Sequence, residues 1–168
     1  MAHSLPDGTQ IFLRPIQAAD KARLLLAHGR LSEETIRSRY LSAKPRVSSS
    51  ELRYLTEVDG RDHHALVACP VDDPDRIVGI ARYVRILDDR EAAEFAIVIE
   101  DEYQGRGLGT LLARELATAA RATGIRRFTA VMLADNAAVL RLMESIPGHL
   151  ELGTLDGGVR EAVVDLAA

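Results

Sequence analysis

A chain of 168 residues with 47% hydrophobic and 27% charged side chains has the balance of a globular protein and the length of one α/β core, so a single domain over 1–168 is expected. A net charge of −4, with no basic run and no aromatic-interleaved basic patch, excludes a nucleic-acid surface. No apolar run approaches a membrane span and 1–10 holds no apolar signal region, so no membrane partner and a cytoplasmic location are expected. Cys69 is the single cysteine; it rules out an internal disulfide, and its apolar surroundings over 64–69 point to packing.

In chain order, 11–14 reads as a strand and 18–31 as an amphipathic helix. A second helix over 32–41 starts at a Ser32 cap, and Ser48 with Glu51 forms a capping-box pattern for a short third one. The runs 65–69, 77–86 and 93–99 are strands, divided by Asp72-Asp73-Pro74-Asp75 and Asp88-Asp89-Arg90; connections this short require antiparallel neighbours. A helix over 110–123 stops at Gly124, a strand follows over 128–133, and a helix over 136–145 ends at Pro147-Gly148. A final hairpin joins 150–155 to 159–166 around Asp156-Gly157-Gly158.

The stretch Gln104-Gly105-Arg106-Gly107-Leu108-Gly109 joins the apolar strand over 93–99 to the alanine-rich helix over 110–123. Without a Cβ, Gly105, Gly107 and Gly109 can take left-handed dihedrals and bring backbone N–H groups close to an anion, where the helix end adds unpaired donors; Arg106 adds a full positive charge. A P-loop would need Lys-Ser or Lys-Thr after its last glycine, and Gly109 is followed by Thr110-Leu111. A dinucleotide fingerprint would put its third glycine at Thr110 and lacks the acidic residue that should end a second strand. A plain strand-to-helix turn stands as the alternative. The preceding strand carries one carboxylate, Glu94, among apolar neighbours. Catalysis is one reading of it; a strand-end residue in solvent, or a partner of Arg82 or Arg85, is the other.

Together these residues resemble the GNAT superfamily of acyl-coenzyme A dependent N-acyltransferases. The superfamily signature, Gln or Arg, two residues, Gly, one residue, then Gly or Ala, falls on Gln104, Gly107 and Gly109, directly after the fourth expected strand. Ile11-Phe12-Leu13-Arg14-Pro15 with Asp20 is similar to the family's opening strand and helix, and Asn136 with the helix after it to the segment following its fifth strand. The resemblance implies an α/β (α+β) fold with a mixed, mostly antiparallel seven-stranded sheet splayed between strands 4 and 5. It implies acetyl-CoA as co-substrate and no metal. Glu94 would be the general base, acting directly or through a water. Backbone groups of Ile97, Val98 and Ile99 would hold the pantetheine arm, and N–H groups from Gly105, Arg106, Gly107, Leu108, Gly109 and Thr110, with Gln104, the pyrophosphate. Asn136 would contact the coenzyme arm; as a residue, it also reads as a helix N-cap, and the two roles are compatible.

Two positions depart from the family pattern. Met143 stands where many members carry a tyrosine that protonates the leaving thiolate, and Pro147-Gly148-His149-Leu150 replaces the usual Gly-Phe. The spacing of Glu94 from Gln104, the missing tyrosine, and the run Leu31-Ser32-Glu33-Glu34 with Arg37-Ser38-Arg39-Tyr40 look like the bacterial protein-lysine acetyltransferase branch. Asp88, Asp89, Glu91, Glu100, Asp101 and Glu102 cluster at strand ends, where they attract a cationic amine or simply form solvated turns. Three functions follow: acetyl transfer to a protein lysine, the same chemistry on a small amine such as a polyamine, an aminoglycoside or an amino acid, or non-catalytic acyl-CoA sensing. Family members often form homodimers.

Overall fold

A computed structural model describes residues 1–40 and 46–166. The elements are β1 (Ala2–Ser4), β2 (Gln10–Pro15), a 3-10 turn (Ala18–Asp20), α1 (Lys21–Gly29), α2 (Glu33–Tyr40), α3 (Ser49–Thr56), β3 (His63–Pro70), β4 (Gly79–Arg85) and β5 (Ala92–Ile99). A second 3-10 turn (Asp101–Tyr103) leads into α4 (Leu108–Ala122), then β6 (Arg127–Leu133), α5 (Ala137–Glu144), β7 (Gly148–Asp156) and β8 (Val159–Leu166). The expected end of the second helix at Leu41 lies outside the described residues.

The sheet has eight strands in the order β1-β2-β3-β4-β5-β6-β8-β7, one more than expected. The addition is β1, which has no apolar alternation of its own. It forms because the chain folds back through the Asp7-Gly8 turn, where Asp7 accepts from the Thr9 N–H at 3.0 Å, and Ala2 lies opposite Phe12. The fourth expected strand is therefore β5. Every neighbouring pair is antiparallel except β5 and β6, which are joined by the α4 crossover and run parallel.

Side chains alternate across the sheet, so each face builds its own core. On one face α4 lays Leu108, Leu112 and Leu116 against Tyr83, Phe95 and Phe128. Gly79 permits this close approach: a Cβ there would come within 3.0 Å of Leu112 and 3.2 Å of Leu108. The opposite face carries Ala65, Val67, Cys69 and Ile80, covered by Leu24 and Ala27 of α1 and by Leu52 and Leu55 of α3. Cys69 is fully buried there, and burial pushes its thiol pKa up, as a packing residue rather than a nucleophile requires. Among the described residues no helix is long and apolar enough to cross a membrane.

Candidate active site

The site begins where β5 loses one neighbour. Residues Ala92, Ala93 and Glu94 pair with Arg127, Phe128 and Thr129 of β6, and beyond Glu94 the two strands separate. On its other edge β5 stays paired with β4 as far as Ile99, opposite Gly79. Opposed residues of an antiparallel pair alternately exchange two bonds or none. The flanking bonds, Ile86 N–H to Ala92 C=O and Glu100 N–H to Val78 C=O, both 2.9 Å, set the phase. Ala96 and Val98 thus spend their backbone groups on β4, while those of Ile97 and Ile99 face the gap left by β6. Of the three residues expected to offer backbone partners, Val98 turns its backbone groups to β4 and packs its side chain against the opposite-face cluster while still bordering the cleft.

The gap widens into a cleft of about 480 Å³. It brings together Ile97, Val98, Ile99, Gln104, Gly105, Gly107, Gly109, Thr110 and Asn136, the expected coenzyme residues except Arg106 and Leu108. Gly105 and Gly107 have φ of 70° and 88°, left-handed values that a Cβ would strain. Gly109 is helical, and its need is space: a Cβ would lie 3.1 Å from both Ile99 Cδ1 and Leu142 Cδ1. Gly107 caps α4 without a side-chain acceptor, and the first helical N–H to find a backbone partner is that of Leu111, bonded to Gly107 C=O at 3.1 Å. The N–H groups of Leu108, Gly109 and Thr110 are left as donors at the positive end of the helix. The Leu108 side chain is fully buried, so this residue presents only its backbone. Asn136 caps α5, its Oδ1 accepting from Val139 N–H at 3.2 Å while the residue still lines the cleft.

Arg106 turns away from the cleft. Its guanidinium bonds the Asp7 carboxylate and the Thr9 hydroxyl and lies 5.1 Å from the centre of the Tyr103 ring. The Thr9 N–H and then Arg106 hold the Asp7 carboxyl well below its usual range. Gln104 is turned inward: its Nε2 donates to Ile99 C=O at 3.0 Å and to Thr35 Oγ1 at 3.1 Å. It therefore braces the strand end and α2. Asp101 reinforces the same joint, accepting from Ser32 N–H at 3.0 Å, Ser32 Oγ at 2.6 Å and Thr35 Oγ1 at 2.9 Å. Burial raises the Asp101 pKa, but the Ser32 and Thr35 donors outweigh it and hold the carboxyl below its usual value. Glu100 is buried against Arg30 and Arg76, and Glu102 also pairs with Arg76. The carboxylates 100–102 are thus structural clamps rather than solvated turn.

Glu94 stands at the point of separation, opposite Val84 on one side and Thr129 on the other. Its side chain is exposed and makes no hydrogen bond or ion pair among the described residues. Arg85 is instead engaged with Asp62 and the Thr123 and Arg90 carbonyls, and Arg82 donates to Leu55 C=O and to His63 Nε2 at 3.2 Å. A guanidinium has no acceptor, so His63 Nε2 must accept, which fixes the neutral ring. Burial first, and then the Arg82 charge, bring the His63 pKa down to about 4. Met143 is fully buried in the core, and His149 is exposed beside Glu151. Among the described residues lining the cleft there is no tyrosine, cysteine or histidine to act as an acid.

A parallel pair split after three residues, with a glycine-capped helix N-terminus at the far end of the gap, defines a site for an extended, phosphate-ended ligand. Residues 10–147 match the acetyltransferase (GNAT) domain family. The chain is 34% identical over 139 residues to Acetyltransferase Pat of Mycolicibacterium smegmatis, covering 83% of this chain and 41% of that one. It is 35% identical over 137 residues to Acetyltransferase PA5475 of Pseudomonas aeruginosa, covering 81% and 73%. The crystal structure of the GNAT domain of S. lividans PAT superposes with a TM-score of 0.89 at 28% identity, covering 99% of this chain and 96% of that one. The chain belongs to the GNAT acetyltransferase domain family, and it spans less than half the length of the M. smegmatis relative.

Proposed function

We propose that this protein transfers an acetyl group from acetyl-CoA to the side-chain amine of a protein lysine, with Glu94 as general base. The observation that supports this reading is the separation of β5 from β6 immediately after Glu94, an exposed carboxylate three residues before Ile97, where β5 enters the lining of the cleft that ends at the glycine-capped helix. Acetyl-CoA supplies the activated acyl group. Ile97 offers its backbone N–H and C=O to its arm and Ile99 its N–H alone, the Ile99 C=O being held by Gln104, and Leu108, Gly109 and Thr110 offer their N–H groups to its phosphates. A lysine amine has a pKa of about 10.4, so roughly one in a thousand is neutral near pH 7. Glu94 takes the proton, directly or through a water, as nitrogen attacks the carbonyl carbon. An N–H on the gap edge of β5 donates to the carbonyl oxygen as negative charge develops there, worth about 3 kcal/mol in comparable sites. The thiolate leaves without a side-chain acid, in keeping with a lining that has no tyrosine among the described residues.

Exposure of Glu94 favours a macromolecular acceptor. On its face of the sheet, among the described residues, the cavity between α1 and the strands measures only about 50 Å³. Enclosing a small amine would take a pocket of roughly 300 Å³ or more. A lysine carried on another protein needs no such enclosure. Acetyl-CoA dependent thiol release, followed over lysine proteins, lysine peptides and small amines, tests the reading. Turnover on the protein and peptide arms that falls about 10²- to 10⁴-fold in kcat for Glu94→Gln is expected. Turnover on small amines alone, or a Glu94→Gln enzyme as fast as the parent, would overturn it.

A further inference from the structure

Binding phosphates calls for positive charge as well as N–H donors, and the residue that the sequence places in the glycine loop for that purpose, Arg106, is committed to Asp7 and Thr9. Among the described residues, two cations line the cleft, Arg39 and Arg141. Arg39 already has an interaction partner and also borders the small cavity on the Glu94 face. Arg141 is exposed, and its side chain makes no hydrogen bond or ion pair among the described residues.

The position of Arg141 follows from the helix that carries it. Ala138, Arg141 and Leu142 of α5 line the cleft together, three and four residues apart as one helical face requires. Leu142 Cδ1 reaches to within 3.1 Å of where a Gly109 side chain would begin, so this turn of α5 abuts the first turn of α4, whose N–H groups lack partners. Of the acidic residues lining the cleft, Asp101 is occupied by Ser32 and Thr35, and Glu34 lies on α2. A guanidinium here adds a planar fork of donors beside the helix N–H groups, and the two together suit phosphate oxygens.

We infer that Arg141 is a phosphate-binding residue for the coenzyme, taking the part that Arg106 would have had. The inference rests on the acetyl-CoA reading above. Coenzyme A carries phosphate in two places, the pyrophosphate and the 3′-phosphate, and both present the same chemistry to an arginine.

Calorimetric titration of the full chain with coenzyme A and with 3′-dephospho-coenzyme A tests it on the parent protein, Arg141→Gln, Arg141→Lys and Arg126→Gln. Arg141→Gln is expected to weaken coenzyme A binding roughly ten- to a hundredfold, the worth of a charge-assisted hydrogen bond, with an unchanged melting temperature. Arg141→Lys should recover part of that loss. Arg126→Gln removes the same net charge at a distance and should stay within about twofold of the parent. A deficit that disappears with the dephospho form places Arg141 on the 3′-phosphate; one that persists places it on the pyrophosphate. Equal affinity of parent and Arg141→Gln for coenzyme A overturns the inference. Failure of the parent itself to bind coenzyme A overturns the coenzyme reading and this inference with it.

Discussion

The two halves of β5 differ in one respect, and the difference separates stability from chemistry. The segment 92–94 has a neighbour on each side, β6 along its whole length and β4 from Ala93 onward; Phe95 to Ile99 keep β4 and lose β6. Around the first half the sheet is closed by a dense core, with Tyr83, Phe128 and Ala93 fully buried. Around the second half, backbone groups that would ordinarily complete a ladder are held open on a rigid support. The strand is half closed structural element and half open edge, and Glu94 stands at the boundary.

Substitution at two glycines should break the comparison most sharply. Gly79→Ala in β4 pushes a methyl to 3.0 Å from Leu112 and should cost about 1–3 kcal/mol in chemical denaturation, with little effect on the KM for acetyl-CoA. Gly107→Ala forces an L-residue to φ near 88° with Pro6 Cδ at 3.0 Å, so about 1–3 kcal/mol is again expected. In that case the KM for acetyl-CoA should rise more than tenfold, since the strain falls on the donor loop, an increase of about 1.4 kcal/mol in binding terms. Gly79 lies opposite Ile99 and packs on Leu112 and Leu108, behind the open half, so equal KM values for the two variants would erase the distinction between the packed face of the sheet and the donor loop.

The pH dependence of stability sharpens the closed half. His63 has its pKa lowered from 6.5 to about 4, so the folded state prefers the neutral ring and the unfolded chain binds more protons between those values. This contribution is complete above pH 6.5 and is lost as pH falls toward 4. For a half-buried group the loss should reach about 1–2 kcal/mol, and His63→Gln, which keeps an acceptor for Arg82, should flatten the melting-temperature profile over that window. A parent profile that is flat from pH 7 to 5 would contradict it.

The smallest effect is expected at the joint between the halves of the cleft. Asp101→Ala removes the acceptor for Ser32 and Thr35; because the residue is exposed, about 1 kcal/mol of stability should be lost. The KM for acetyl-CoA should rise a few-fold as Gln104 loses its fixed partner Thr35, which steady-state kinetics would register.

The parts of this architecture that were legible in the sequence are those written locally. The glycine loop reads directly because a β-branched run, three glycines and an alanine-rich helix follow one another, and the Ser48–Glu51 box appears as expected, with Glu51 N–H to Ser48 Oγ at 3.2 Å. What did not read are contacts across long stretches of chain. Arg106 is 99 positions from Asp7, and nothing near it announces that its charge is already neutralised. Gln104 and Thr35 are 69 positions apart, and so are Asp101 and Ser32. The acidic run 100–102 looks like solvated turn because its cationic and hydroxyl partners come from α2 and from the segments around Arg30 and Arg76. β1 is invisible for a different reason: its three residues carry no apolar alternation of their own, and they become a strand by pairing with nearby β2. Arg141 carries no signal of its own in the sequence, because its place along the cleft depends on how α5, through Leu142, meets Gly109 of α4.

The most direct test of the open edge is amide hydrogen exchange resolved along β5, with and without coenzyme A. Without ligand the N–H groups of Ala96 and Val98, bonded to β4, should exchange slowly, and those of Ile97 and Ile99 fast; added coenzyme A should slow Ile97 and Ile99 selectively. Uniform protection along 95–99 in the free protein, or no change at Ile97 and Ile99 when coenzyme A binds, would contradict the assignment of this strand edge to the coenzyme.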